Sequence, residues 1–71
     1  MNTISPKKLI HSKWTRLNPS NKERHFIVTK VELDENATIT HCLIEAVITK
    51  RVEGINWTEL KDDNIWKHGW K

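Results

Sequence analysis

Between Glu23 and Val52 the chain is dense in β-branched and aromatic side chains, as ERHFIVTKVEL at 23–33 and ATITHCLIEAVITKRV at 37–52. Such residues suit a pleated, half-buried surface, because a branched Cβ restricts χ1 and packs well against neighbouring strands. Two strands are expected, at 24 to 33 and 38 to 51, joined through the polar connector Asp34, Glu35 and Asn36 as a hairpin. If Leu33 faces Ala37, then Phe26 lies opposite Ile44, Val28 opposite Cys42, Ile27 opposite Leu43 and His25 opposite Glu45. A slip of one residue would mix the two faces, since side chains alternate with period two.

That pairing gives one face of Phe26, Val28, Cys42, Ile44, Ala46 and Ile48. The other carries Ile27, Val31, Ile39, Leu43 and Val47, with His25, Thr29, His41 and Glu45 among them. Both faces are partly apolar, so the sheet must be covered on two sides, curl on itself, or meet another molecule. A third strand is expected at 10 to 17, around SKWTRL, ended by the turn signal Asn18, Pro19, Ser20, Asn21. It would bring Trp14 alongside Phe26. Residues 1–8 are expected to form a flexible arm, leaving 9–71 as a single domain.

Three of the four tryptophans fall after Gly54, and the chain has one phenylalanine and no tyrosine. Asn56 can cap a helical turn whose third position is Glu59, with Ile55 and Leu60 placed for a hydrophobic staple. At 100° per residue a continued helix would put Trp66 opposite Trp57 and Leu60, so a break is expected near Asp62. Asp62 or Asp63 would then cap a second turn holding Ile65 and Trp66, with Gly69 left-handed behind it and Trp70 folded back onto Ile65. The expected fold class is α+β: a three-stranded antiparallel β-meander with short C-terminal helical turns packed on one face. The expected core is Trp14, Phe26, Val28, Cys42, Ile44, Ala46, Ile48, Trp57, Leu60, Ile65, Trp66 and Trp70.

A chain of 71 residues needs such anchors. It buries only about 60% of its unfolded surface, and the single Cys42 allows no internal disulfide. Each indole can bury about 150 to 250 Å², worth roughly 4 to 6 kcal/mol gross at about 25 cal/mol per Å². The lone cysteine fits a reducing cytoplasm. The absence of a signal-length apolar run argues against export or membrane insertion.

The segments SKWT, HFIVT, LIEAVITKR, INWTELKD and IWKHGW together resemble a family of small tryptophan-rich proteins of proteobacteria and cyanobacteria. The resemblance covers nearly all of the chain after residue 8 and implies an intracellular bacterial protein. It carries no catalytic or binding residues with it.

Catalysis is not expected. His11, His25, His41 and His68 lack the paired spacing of a zinc site, and His41 and Cys42 point to opposite faces of a strand. Cys42 on an apolar face is an inert thiol rather than a nucleophile, and His25 beside Glu45 is a cross-strand polar pair with no third group. With two glycines there is no phosphate-cradling loop. Neither a cofactor nor a small-molecule substrate is implied.

The charge is uneven. Residues 1–30 carry Lys7, Lys8, Lys13, Arg16, Lys22, Arg24 and Lys30 against Glu23 alone, while the remainder is net acidic and the whole chain is +3. A non-enzymatic binding role follows. In one version, apolar area on the second face or an exposed tryptophan seats a protein partner or a second copy. In the other, Lys7, Lys8, Lys13, Trp14, Arg16, Lys22, Arg24 and Lys30 bind RNA or single-stranded nucleic acid, with Trp14 and Phe26 as the stacking rings.

Overall fold

A computed structural model describes residues 2–71. It shows a small, sheet-dominated domain of five antiparallel strands, β1 (Lys13–Ser20), β2 (Glu23–Leu33), β3 (Ile39–Ala46), β4 (Val52–Ile55) and β5 (Trp66–His68), in the order β4-β3-β2-β1-β5. Among the described residues, helical structure is confined to two 3₁₀ turns, Pro6–Lys8 and Trp57–Lys61. The expectation of three strands followed by helical turns is therefore corrected in three places.

First, β1 runs through Pro19 to Ser20, and its hairpin turns on Asn21 and Lys22, whose φ values are 53° and 62°. Two successive left-handed residues match the twist of a two-residue hairpin. The ladder is irregular between Thr15 and Ser20, which is where a proline without an N–H is tolerated. Second, the long strand expected at 38 to 51 folds back on itself after Ala46. Lys50, with φ 64°, donates its N–H to Ala46 O, and Ala46 donates to Arg51 O, so that β3 and β4 form another hairpin. Third, Trp66–His68 is a strand, placed on the outer edge of β1 by the pairs Trp14 with His68, Thr15 with Lys67 and Arg16 with Trp66.

The register of β2 on β3 also moves. Phe26 faces Ala46, Ile27 faces Glu45 and Val28 faces Ile44, two residues from the expected pairing. An even shift leaves every side chain on its own face. An irregularity between Val28 and Lys30 then changes parity, and Val31 comes opposite Cys42 and packs against the core. His25 does not meet Glu45; Val47 donates its N–H to His25 O instead.

Trp14, Phe26, Val28, Cys42, Ile44 and Ala46 point to one face, called inner here, and are sealed from solvent together with Leu60 and Trp66. Phe26 and Trp66 meet edge to face at 5.2 Å and 86°. From β4 the chain crosses this inner face to reach β5 at the other edge, carrying Leu60 into the core; Asn56 caps the crossing turn by accepting from Thr58 N–H at 3.1 Å. The sheet curls around the crossing. Arg16 Nη1 on β1 lies 3.7 Å from Glu53 Oε1 on β4, although three strand spacings of about 4.8 Å would part those strands in a flat sheet.

Two expected core members lie elsewhere. Ile48 is 68% exposed because it sits in the turn between β3 and β4, and Trp70 is 43% exposed because it passes to the other face. Trp57 and Ile65 are half-buried at the core margin. Of the arm expected at 1–8, Met1 lies outside the described residues, and residues 2–8 have definite contacts, continued by Leu9. Ile4 and Leu9 are buried, and Asn2 donates its side-chain amide to Leu60 O and Trp66 O.

Candidate functional site

The outer face of the sheet has a different composition. Val52, Glu45, Ile27 and Lys13 are successive cross-strand partners from β4 to β1, and Val47, His25, Thr15 and Lys67 form the adjoining row to β5. Ile27, Leu43 and Val47 stay half-exposed there, where aliphatic side chains that belonged only to a core would be sealed.

Among the described residues, the tail after β5 is what reaches this face. Trp66 and His68 alternate inward along β5, His68 stacking on Trp14 at 4.7 Å. Gly69, with φ 88°, then turns the chain outward, a conformation that side chains with a Cβ rarely adopt. Thr15 fixes the turn by donating its hydroxyl to Gly69 O at 2.7 Å and accepting from Lys71 N–H at 2.9 Å. Trp70 lies over the sheet with its indole N–H donated to Phe26 O at 3.0 Å. Lys13 Nζ lies over its ring, 4.8 Å from the centre, and the His25 ring is tilted against it at 6.0 Å. His25 Nε2 is 3.1 Å from Lys71 O. The result is an anchored, partly exposed indole with a cation over one face and an imidazole beside it.

Next to it, Lys22, Arg24, His25, Val47 and Ile48 line a groove of about 300 Å³. His25 belongs to both features. The groove lies between the β1–β2 and β3–β4 turns, so one cationic and apolar channel runs from the turns to Trp70.

The basic residues singled out in the sequence do not form one patch. Lys13 and Arg24 belong to the outer face and its groove, with Lys22 at the groove end. Lys7 and Lys8 sit on the 3₁₀ turn Pro6–Lys8, and Lys30 pairs with Glu32 at 3.2 Å. Arg16 is held over the Trp66 ring at 5.4 Å and against Glu53. Trp14 and Phe26, expected to stack bases, are fully buried and cannot do so. Lys67 is what sequence reasoning missed, and Trp70, expected in the core, is instead an exposed tryptophan of the kind expected to seat a partner. The signal was the alternation of Trp66, Lys67 and His68, which has strand rather than helix period, followed by a glycine able to reverse the facing of Trp70.

Elsewhere, groups capable of chemistry are engaged structurally. Burial pushes the Cys42 thiol up to about 11, away from the thiolate. Glu23 is held below the ordinary carboxylate range, first by hydrogen bonds from Arg51 and then by the Thr49 hydroxyl. A hollow of about 540 Å³ beside His11 and His68 has Lys8 but no carboxylate or thiol in its lining. No group of three or more metal-capable side chains is found among the described residues. No described helix is long and apolar enough to cross a membrane.

Residues 12–71 match the family described as tryptophan-rich protein (DUF2389). The chain belongs to this family. The match takes in all four tryptophans and every strand, and it starts after Leu9. No curated protein and no solved structure matches the chain.

Proposed function

We propose that the protein is a non-enzymatic, cytoplasmic binding module that works through the outer face of its sheet. The observation that carries this reading is Trp70, fixed by its indole hydrogen bond yet 43% exposed on a face where Ile27, Leu43 and Val47 are incompletely covered. An immobilised aromatic loses little entropy on contact, and tryptophan is enriched where binding energy concentrates. The face is shallow and brings no nucleophile next to a base, which suits recognition of a macromolecule better than turnover of a small molecule.

The two ends of the face suit different occupants. The aliphatic strip of Val52, Leu43, Ile27 and Val47 supports a protein partner or a second copy, and with it an interaction or assembly role. The Trp70 end, with Lys13 and His25, supports nucleic acid in place of the buried Trp14 and Phe26. A first test is whether the face is used at all. The mass of the full chain is measured against concentration, alone and with candidate ligands, for the native sequence and for Trp70→Ala and Val47→Glu. Loss of an association in both variants, with native circular dichroism retained, supports the reading; associations that both variants keep undiminished place the working surface elsewhere.

A further inference from the structure

Charge separates the possible occupants of this face. Lys13 and Lys67 project from it by register, and Lys22 and Arg24 line the groove that continues it past His25. Two carboxylates share the face by register: Glu45, between Ile27 and Val52, and Glu32, further along β2, which pairs with Lys30 at 3.2 Å. Glu23, also near the turns, is neutralised by Arg51, which grips it through three hydrogen bonds of 2.7 to 3.1 Å. The unpaired positive side chains thus follow β1, the start of β2 and the turns, while the unpaired acid, Glu45, marks the side of β3 and β4.

We propose that this channel binds single-stranded nucleic acid, with a base stacked on Trp70 and successive phosphates held by Lys13, Arg24 and Lys22. The proposal rests on the outer face being the working surface, and it names the ligand class. A flat indole anchored on an antiparallel sheet accepts any base through its π face once the flexible Lys13 side chain moves from over the ring to a phosphate, and cations spaced along a groove follow a flexible phosphate chain. Val47 and Ile48 give the groove an apolar floor against which a second base can rest. A duplex cannot offer its base faces in this way, so an unpaired strand fits. Glu45 repels phosphate and keeps the strand on the β1 and β2 side, where a protein partner would be expected to cover the aliphatic strip as well.

The test is a tryptophan-emission titration of the full chain with oligo(U) of about twelve nucleotides, within the site sizes of single-strand binders. It is run at about 50 and about 200 mM salt, with a duplex of equal length as control. Quenching is expected to saturate with the single strand and to weaken with salt, with a log–log slope of about −2 to −3 for three to four neutralised phosphates. Trp70→Ala should weaken binding about tenfold or more. Arg24→Glu, at an exposed position away from the core, should weaken it and flatten the salt slope, whereas Lys7→Glu should act little and Glu45→Gln should tighten it. Absence of saturable binding, or binding untouched by Trp70→Ala and Arg24→Glu, overturns the proposal. A protein or self-association lost in Val47→Glu, in a chain that ignores oligo(U), would sink the nucleic-acid assignment while leaving the outer face as the docking surface.

Discussion

At 3% exposure, Glu23 gives up nearly all of its contact with water and takes Arg51 and Thr49 in exchange. Because the hydrogen bonds from Arg51, then that from Thr49, lower its folded pKa, its contribution is present above the ordinary value of 4.5 and is lost as pH falls through the depressed folded value. Melting temperature should therefore drop as the solution is acidified below that ordinary value. Glu23→Gln should melt lower at neutral pH and show a flatter acid limb; an acid limb identical to the native one would contradict the assignment. Glu23 was not legible as a buried residue, since nothing local distinguishes it from a solvated acid and its partners lie 26 and 28 positions away. Cys42 is a simpler case, because the apolar alternation around it already argues for burial. Its thiol should resist aromatic disulfide reagents in the folded protein at neutral pH and react only after denaturation, as followed by absorbance. Trp66 combines a sealed ring with an indole N–H that finds no acceptor among the described residues. Such a group costs about 1 to 3 kcal/mol, yet the ring fills the space against Phe26, so Trp66→Ala should still lose about 3 to 5 kcal/mol in urea denaturation.

Among the elements, β2 and the start of β3 could be read directly, because alternation is strongest where Phe26, Val28, Cys42 and Ile44 share a face. The Asn56 cap was readable too, being a local pattern of side chain and backbone. The β3–β4 hairpin was not. Its turn, Val47 to Lys50, contains no glycine or asparagine and begins with three β-branched residues, so propensity favours continuing the strand; the Arg51 clasp on Glu23 is what holds the reversal. Likewise β5 forms because β1 offers a free edge, a tertiary fact; the three-residue alternation of Trp66, Lys67 and His68 is too short to specify a strand by itself. The segment before β1 gives the sharpest element-scale expectation. Leu9 is fully buried although it precedes the part of the chain that matches the family. Leu9→Ala should then cost about 2 to 5 kcal/mol, the range for truncating a sealed leucine, whereas Ile10→Ala, at an exposed neighbour, should stay within about 0.5 kcal/mol. Equal effects at both positions would show that residues 2–9 do not pack as described.

At the scale of the molecule, the sheet is uneven in its support. β1 covers β2 only as far as Val28, whose N–H and carbonyl bond to Ser12 and His11, and β4 covers β3 only from Cys42 onward. The part of the β2–β3 hairpin between Lys30 and His41 therefore continues as a two-stranded ribbon, which accounts for a long dimension of 37 Å against 25 and 15 Å. It touches the core through Val31 and Ile39 and is bordered near its tip by Ser5, Pro6 and Lys7. A two-stranded ribbon is marginal on its own. The body, by contrast, is closed by the crossing from β4 to β5 and by Arg16 reaching Glu53, so its strands can separate only if that crossing lifts from the core. Local opening should accordingly be far easier in the ribbon than in the body. Native-state hydrogen exchange should find the ladder amides between Lys30 and His41 exchanging through small openings, while those of Phe26, Ile44 and Trp66 exchange only with global unfolding and share its denaturant dependence. Equal protection in ribbon and body would mean that the hairpin is stabilised along its whole length, and that some contact beyond the two strands holds its tip.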